Sequence, residues 1–203
     1  GNNISALAAI GSAGPAKYSV WYAKISDHVE GSALHAGASA FNVNVSAKVG
    51  PATIEANHAQ VAYSLNAAAV TALGDEVTTK QSRIVASVKA GPATVTLGYV
   101  KTGAQGGNVD LGDSDAKANF YVENVDASDT TDASIWYAGA KAKVAGMTVG
   151  LEHVRTSDID GSTAGDLAAN ETKLSVAYAM SKNFKISAFM TDGKTETAAA
   201  NDE

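Results

Sequence analysis

The side chains that could bind a metal or catalyse a reaction are scattered along this sequence. The four histidines are His28, His35, His58 and His153. Their spacing matches no metal-ligand motif such as H-E-x-x-H. Glu152 precedes His153 directly, but neighbouring residues on a strand point to opposite faces, so the two cannot act together. The sequence also has no G-x-S-x-G motif, P-loop or G-x-G-x-x-G motif. We therefore predict that the protein is not an enzyme.

Three aspartates in one long polar connection form the best candidate for a cation site. Asp110, Asp113 and Asp115 supply hard oxygen ligands, the kind that Ca2+ prefers. The alternative interpretation is an ordinary solvated loop. Asp158 and Asp160 hint at a second calcium loop, but no bidentate Glu follows at the required place. No other cofactor is predicted, and the absence of cysteine excludes disulfides and thiolate sites.

A recurring Gly-Pro unit organises the rest of the chain. It occurs as Gly14-Pro15, Gly50-Pro51 and Gly91-Pro92, with a looser copy at Ala145-Gly146. Such pairs mark tight turns, because proline has no place inside a strand ladder. The flanking residues alternate and are rich in Val, Ile, Ala, Thr and Tyr, as strands are. The pattern predicts five hairpins, at about 4–26, 34–64, 82–102, 134–156 and 172–191, the last turning at 181–183.

Charged and amide side chains occupy alternate positions of these strands. In the second hairpin, Phe41, Val43 and Val45 alternate with Asn42 and Asn44. A soluble sandwich would bury the polar set, and burying many unpaired charges is prohibitive. A water-filled lumen removes that penalty, because a membrane barrel needs only one apolar face. The predicted pore-lining candidates are Lys17, Asn42, Asn44, Lys48, Glu55, Asn57, Arg83, Lys89, Lys141, Lys143, Glu152 and Lys173.

Tight turns and long polar connections are predicted to lie at opposite ends of one sheet. Of 21 acidic residues, only Glu55 and Glu152 lie within the predicted hairpins, whereas lysines crowd the tight turns. No apolar run reaches the roughly 18 to 20 residues of a membrane helix, but strands of about 9 to 11 residues can span as a barrel. The sequence therefore predicts an all-β fold, an antiparallel up-and-down transmembrane β-barrel. About ten strands are visible, in a single domain over residues 1–203.

Four segments carry a family resemblance: Gly1-Asn2 leading to Ala8-Ala9-Ile10-Gly11-Ser12, then Val20-Trp21-Tyr22-Ala23, Lys173-Leu174-Ser175-Val176-Ala177-Tyr178, and Asn183-Phe184-Lys185-Ile186-Ser187-Ala188-Phe189. They resemble the C-terminal half of the major outer-membrane porins of Campylobacter and its relatives. The resemblance implies a trimeric porin with a barrel of about 16 to 18 strands and a calcium ion near the constriction. Porins of this kind end in a strand with a terminal Phe, whereas this chain stops at Asn201-Asp202-Glu203. We therefore expect a partial chain.

These observations together predict a porin of the outer membrane of a Gram-negative bacterium. It would form a water-filled channel for passive diffusion of small hydrophilic solutes and ions, with a preference for cations because the net charge is -6. The expected partners are outer-membrane lipid, lipopolysaccharide and, by the resemblance, a homotrimer, with no nucleic acid. Two alternatives stay open. One is a secreted or surface β-solenoid or fibre protein, and the other is a barrel without a pore that serves as an anchor or adhesin.

Overall fold

Strands make up nearly all of the part of the chain that can be described. The computed structural model describes residues 3–26, 35–65, 70, 76–107, 131–157 and 168–196. The strands are β1 (Asn3–Ala13), β2 (Ala16–Ser26), β3 (His35–Val49), β4 (Ala52–Leu65), β5 (Glu76–Ala90), β6 (Ala93–Thr102), β7 (Ser134–Val144), β8 (Met147–Ser157), β9 (Ala168–Ala179) and β10 (Lys185–Glu196).

The ten strands form one antiparallel sheet in their order along the chain. Each strand pairs with the next, from Asn3 opposite Ser26 to Lys185 opposite Ala179, and β1 and β10 are the two edges. The predicted all-β, up-and-down antiparallel architecture is therefore confirmed. A solenoid of parallel strands is excluded for the described strands, because every pair is antiparallel. No helix among the described residues is long and apolar enough to span a membrane.

Two-residue turns join the strands of the first four hairpins. Three of them begin with Gly14, Gly50 and Gly91, whose φ angles are 58°, 59° and 61°. Glycine adopts such left-handed angles at little cost, and the proline that follows has its φ fixed by its ring. The fourth turn is Ala145-Gly146, with φ angles of 50° and 79°. Positive angles of this kind match the twist of paired strands, so these sequences turn the chain back directly.

The register assigns every side chain of a strand to one of two faces, because cross-strand partners point the same way. We call the face that carries Asn44 and its partners Asn57 and Arg83 the polar face. The opposite face, the apolar face, has an exposed large apolar side chain on every strand: Leu7, Tyr22, Phe41, Ile54, Ile84, Leu97, Trp136, Leu151, Leu174 and Ile186.

The sheet buries both polar and apolar side chains, and it leaves many large apolar side chains exposed. The buried polar side chains of the described residues all lie on the polar face: Asn42, Asn57, Thr79, Gln81, Thr102, Glu152, Thr156 and Glu171. On the apolar face, Leu97 is 58% exposed and Trp136 is 59% exposed. Within the described residues the strands form a single sheet, and no second layer covers that face. Soluble monomers rarely expose so continuous an apolar surface, so an apolar solvent is indicated.

The apolar face of β6 ends, toward the long connections, at a charged residue. Along β6, Val95, Leu97 and Tyr99 are followed on this face by Lys101. From Ala93 to Lys101 a strand tilted by about 40° would rise roughly 20 Å, at about 3.4 Å per residue. The apolar band of outer-membrane barrels is about 25 Å tall, so the two dimensions agree closely.

Two histidines lie on the apolar face near this boundary and therefore do not line the polar face. The Nδ1 atom of His58 is 2.8 Å from the Oγ of Ser82. The Nδ1 atom of His153 is likewise 2.8 Å from the Oγ1 of Thr172. Each ring thus shares a hydrogen bond with a hydroxyl of the next strand, which lowers the cost of a polar ring at the edge of an apolar band.

We predict that Leu97→Arg destabilises the folded protein by about 2 to 4 kcal/mol, because the guanidinium would enter hydrocarbon near the middle of the apolar band. The measurement is the midpoint of urea unfolding from lipid vesicles. The control is Thr96→Arg at the next position, on the polar face. It should cost about 1 kcal/mol or less, the value of the lost hydrogen bond to Ser87. Equal losses at both positions would contradict the assignment of the faces.

Candidate functional site: the polar face of the sheet

All the side chains predicted to line a pore lie on the polar face. One row of register partners crosses from β3 to β9 through Lys48, Thr53, Ser87, Thr96, Gly139, Glu152 and Lys173. The other candidates occupy alternate positions on the same face: Lys17, Asn42, Asn44, Glu55, Asn57, Arg83, Lys89, Lys141 and Lys143. The structure therefore brings the whole set to one surface. That this surface borders a pore stays a prediction.

A group of amide and charged side chains joins β3, β4 and β5. Asn57 donates from Nδ2 to Asn42 Oδ1 at 3.1 Å and to the backbone oxygen of Val43 at 3.2 Å. One row away, Arg83 Nη1 lies 3.9 Å from Glu55 Oε1. Side-chain exposure is 13% for Arg83 and 27% for Glu55, so the pair is partly screened from solvent. The two asparagines are therefore joined by a direct hydrogen bond, whereas Arg83 and Glu55 form an ion pair that is too long to be a hydrogen bond.

A second group surrounds Glu152 on β8. Tyr137 donates from its hydroxyl to Glu152 Oε1 at 2.6 Å, and Lys141 Nζ lies 3.0 Å from the same oxygen. Lys173 is the register partner of Glu152 on β9, and its Nζ lies 4.6 Å from the ring centre of Phe189. One carboxylate thus faces two lysines and a phenol. The negative charge of Glu152 therefore offsets the repulsion between Lys141 and Lys173.

Two glycines make room for this group. A Cβ atom at Gly139 would lie 2.6 Å from the hydroxyl oxygen of Tyr137. A Cβ atom at Gly150 would lie 2.7 Å from Ser175 Oγ and 3.3 Å from the Cγ of Lys141. Real Cβ atoms do not tolerate contacts this short. The side chain of Tyr137 can therefore lie over position 139, and those of Ser175 and Lys141 over position 150, only because both positions are glycine.

Sequence reasoning missed several buried polar residues of this face, namely Thr79, Gln81, Thr102, Thr156 and Glu171. Gln81 and Glu171 are each only 1% exposed. The third hairpin begins at Glu76 and the fifth at Ala168, earlier than the pattern indicated, so both residues fell in assumed connections. Continuing the alternation back from Arg83 would have found Gln81, because residues two apart share a face.

Apolar residues interrupt the polar face, mainly toward the long connections. One cluster consists of Val85, Val100, Ala133, Ile135 and Val154, with Tyr137 packed against it. A smaller one consists of Ala40, Ala59 and Val61, with Ala23 and Tyr63. At the sheet edges, exposed apolar side chains on the same face are Ile4, Ile10 and Phe189. A solute on this surface would therefore meet apolar patches as well as charges.

Basic residues outnumber acidic ones on the polar face of the described strands. The basic ones are Lys17, Lys48, Arg83, Lys89, Lys141, Lys143, Lys173 and Lys185, and the acidic ones are Glu55, Glu152 and Glu171. The wall is thus locally basic although the whole chain carries a net charge of -6.

The predicted calcium ligands Asp110, Asp113 and Asp115 lie outside the described residues, as do Asp158 and Asp160. Among the described residues, no group of three or more His, Cys, Asp or Glu side chains is arranged to hold a metal ion. The calcium site therefore stays a prediction from the sequence.

Comparison with known proteins finds likeness in structure only. No model of a known protein family matches the sequence, and no curated protein matches it. A BenF-like porin from Pseudomonas fluorescens Pf-5 is similar with a TM-score of 0.69 and 17% identity, over 96% of this chain and 50% of that chain. OpdK of Pseudomonas aeruginosa, an outer membrane protein solved with vanillate, gives 0.62 and 14%, over 97% and 52%. OccK2 (OpdF) of the same species, in complex with glucuronate, gives 0.60 and 12%, over 97% and 53%.

At such identities the likeness shows the fold. This chain spans about half the length of these porin structures, since it covers 50% of the first of them. The chain therefore has the fold of outer-membrane porins.

Proposed function

We propose that this chain forms part of the wall of an outer-membrane channel through which small hydrophilic solutes and ions diffuse passively. The observation that carries the proposal is the difference between the two faces of the sheet: the charged and amide groups lie on one face, and large apolar groups are exposed on the other. Lipid on the apolar face and water on the polar face satisfy both sets at once. The fold shared with porins supports the same assignment.

Closure of the sheet is part of the proposal. β1 and β10 each have one edge that no described strand pairs. An open edge in hydrocarbon leaves backbone N–H and C=O groups without partners, at a cost of several kcal/mol for each group. We infer that further strands of the same protein close the barrel. The resemblance to Campylobacter-type porins implies about 16 to 18 strands, three barrels in one assembly and a calcium ion near the constriction. Independently of the resemblance, Asp110, Asp113 and Asp115 are the candidate ligands for Ca2+, and lipopolysaccharide is the proposed partner at the membrane surface.

Cation preference is the selectivity that follows from the net charge of -6 and the acidic connections. The excess of basic residues on the polar face favours a second candidate, a preference for small anions. Two of the similar structures contain organic acids, vanillate and glucuronate, which fits that second candidate. Most acidic residues of the connections lie outside the described residues, so we keep cation preference as the proposal and anion preference as its competitor.

A barrel without a pore is the alternative of a different class. Small barrels fill their interior with side chains and act as anchors or adhesins. The clusters around Ile135 and Val61 are the observation that favours it, because they place packed apolar groups on the polar face. The exposed lysines beside the tight turns argue against it, because a filled interior would have to bury or displace them.

Single-channel recording decides between these candidates. We predict that the native protein, extracted from membranes in its natural assembly, gives stepwise conductance in a planar bilayer. In a tenfold KCl gradient the reversal potential should have the sign of cation preference, with a magnitude below the roughly 59 mV of an ideally selective pore. Intact folded protein without conductance steps would contradict the channel. Conductance with the opposite sign would replace cation with anion preference.

Glu152→Gln should shift selectivity toward anions. The change removes the carboxylate that faces Lys141 and Lys173 while keeping the size of the side chain. One charge at about 7 Å in water is worth roughly 0.6 kcal/mol, or about 2.7-fold for each ion in opposite directions, so the cation-to-anion permeability ratio should fall about sevenfold. Reversal potentials of both proteins measure it. Glu152→Asp, which keeps the charge, is the control, and an equal shift in that variant would assign the effect to altered shape.

A further inference from the structure

The polar face carries one lysine beside each of the five tight turns. We call this set the lysine arc, and its members are Lys17, Lys48, Lys89, Lys143 and Lys185. All five are exposed. They lie at the end of the sheet where the strands turn directly, opposite the end with the long, acidic connections.

Backbone bonds between neighbouring hairpins hold parts of this arc in place. The N–H of Lys89 donates to the backbone oxygen of Pro51 in the preceding turn, at 3.4 Å. The N–H of Lys143 donates in the same way to the oxygen of Pro92, at 3.2 Å. These bonds from one hairpin to the turn of the preceding hairpin fix how far neighbouring hairpins are shifted along each other. The shift places Lys89 and Lys143 at the same edge of the sheet, beside the turns.

The arc differs from the deeper basic residues of the polar face in its salt bridges. Arg83 pairs with Glu55 and Lys141 pairs with Glu152. Within the described part of the chain, no salt bridge reaches any lysine of the arc. Its positive charge is therefore available to ions in solution.

The spacing of the arc makes its charges act together. Lys48 and Lys89 lie two strands apart, as do Lys89 and Lys143, which is about 10 Å at about 4.8 Å per strand. The Debye length is about 8 Å at physiological salt and about 3 Å at 1 M. The potentials of neighbouring lysines therefore overlap at physiological salt and separate at 1 M. An anion with several charges can contact more than one ammonium, and it displaces several counterions when it does so.

We propose that the lysine arc is a binding site for multivalent anions, such as polyphosphates or polycarboxylates, at the tight-turn mouth of the channel. A bound anion would reduce the current through the pore and would do so from this mouth only. The inference rests on the proposed channel, because the arc can gate current only if the polar face borders a pore. Monovalent anions would exchange rapidly and give no block.

The test is block of single channels by inorganic tripolyphosphate, added to one side of the bilayer and then to the other, in about 0.1 M KCl. We expect block from the tight-turn side at a concentration at least about tenfold lower than from the opposite side. The block should weaken at least about tenfold in 1 M KCl, where screening separates the lysines. Because the chain has no cysteine, Ser181→Cys tagged with biotin marks the tight-turn side, and added streptavidin identifies it.

The decisive variant is K17Q/K48Q/K89Q/K143Q/K185Q, which should lose the sided block while keeping its open channels. The triple variant K48Q/K89Q/K143Q should weaken the block by an intermediate amount, and it serves if the fivefold variant does not fold. The matched control is K24Q/K80Q/K194Q, which removes exposed lysines of the apolar face near the long connections and should leave the block unchanged.

The outcomes separate the site from the channel. Open channels whose block is equal from both sides, or is unchanged in the triple variant, would overturn the anion site and leave the channel intact. Folded protein that never conducts would overturn both. A sided block that is lost equally in the control variant would assign it to overall charge and overturn the site.

Discussion

The bilayer core supplies no hydrogen-bond partners to the peptide groups of a protein, so every backbone N–H and C=O inside it must be paired within the protein. This constraint explains the arrangement of the ten described strands. Strands β2 to β9 each bond a neighbour on both sides, and direct turns such as Gly91-Pro92 keep consecutive strands adjacent. Once the backbone is paired in this way, side chains alternate between two faces. The two faces then become adapted to different solvents, with Leu97 on one and Arg83 on the other.

The polar face solves a second problem, which is how charges are kept on a crowded surface. Deep in the sheet, carboxylates meet cations directly, as Glu152 meets Lys141 at 3.0 Å and Tyr137 at 2.6 Å. Removing one member of such a group leaves its partners uncompensated, and this links stability to selectivity. At the rim beside the turns, lysines such as Lys89 are exposed, and water solvates them. The pairing of charges deep in the sheet and the solvation of lysines at this rim are therefore consequences of the same solvation cost.

The sequence alone predicted the hairpins and the two faces because both depend on local patterns. The alternation of Phe41 and Asn42 and the Gly-Pro turns need no knowledge of neighbouring strands. The early starts of β5 and β9 were missed, because polar strand ends such as Gln81 and Glu171 resemble loop sequence. The contacts of Glu152 could not be predicted either. They depend on the space that Gly139 and Gly150 leave for the side chains of Tyr137 and Lys141, and this arrangement becomes apparent only once the strands are paired.

The most direct test of this account is the solvent that each residue of β6 faces. Because the chain has no cysteine, single cysteines can be placed along Ala93–Thr102 and reacted with a membrane-impermeant maleimide in native outer membranes. A thiol in hydrocarbon stays protonated and unreactive. The account predicts labelling at least about tenfold faster at Thr94 and Thr96 than at Val95 and Leu97. Labelling that is uniform along the strand, or fast at Val95 and Leu97, would contradict it.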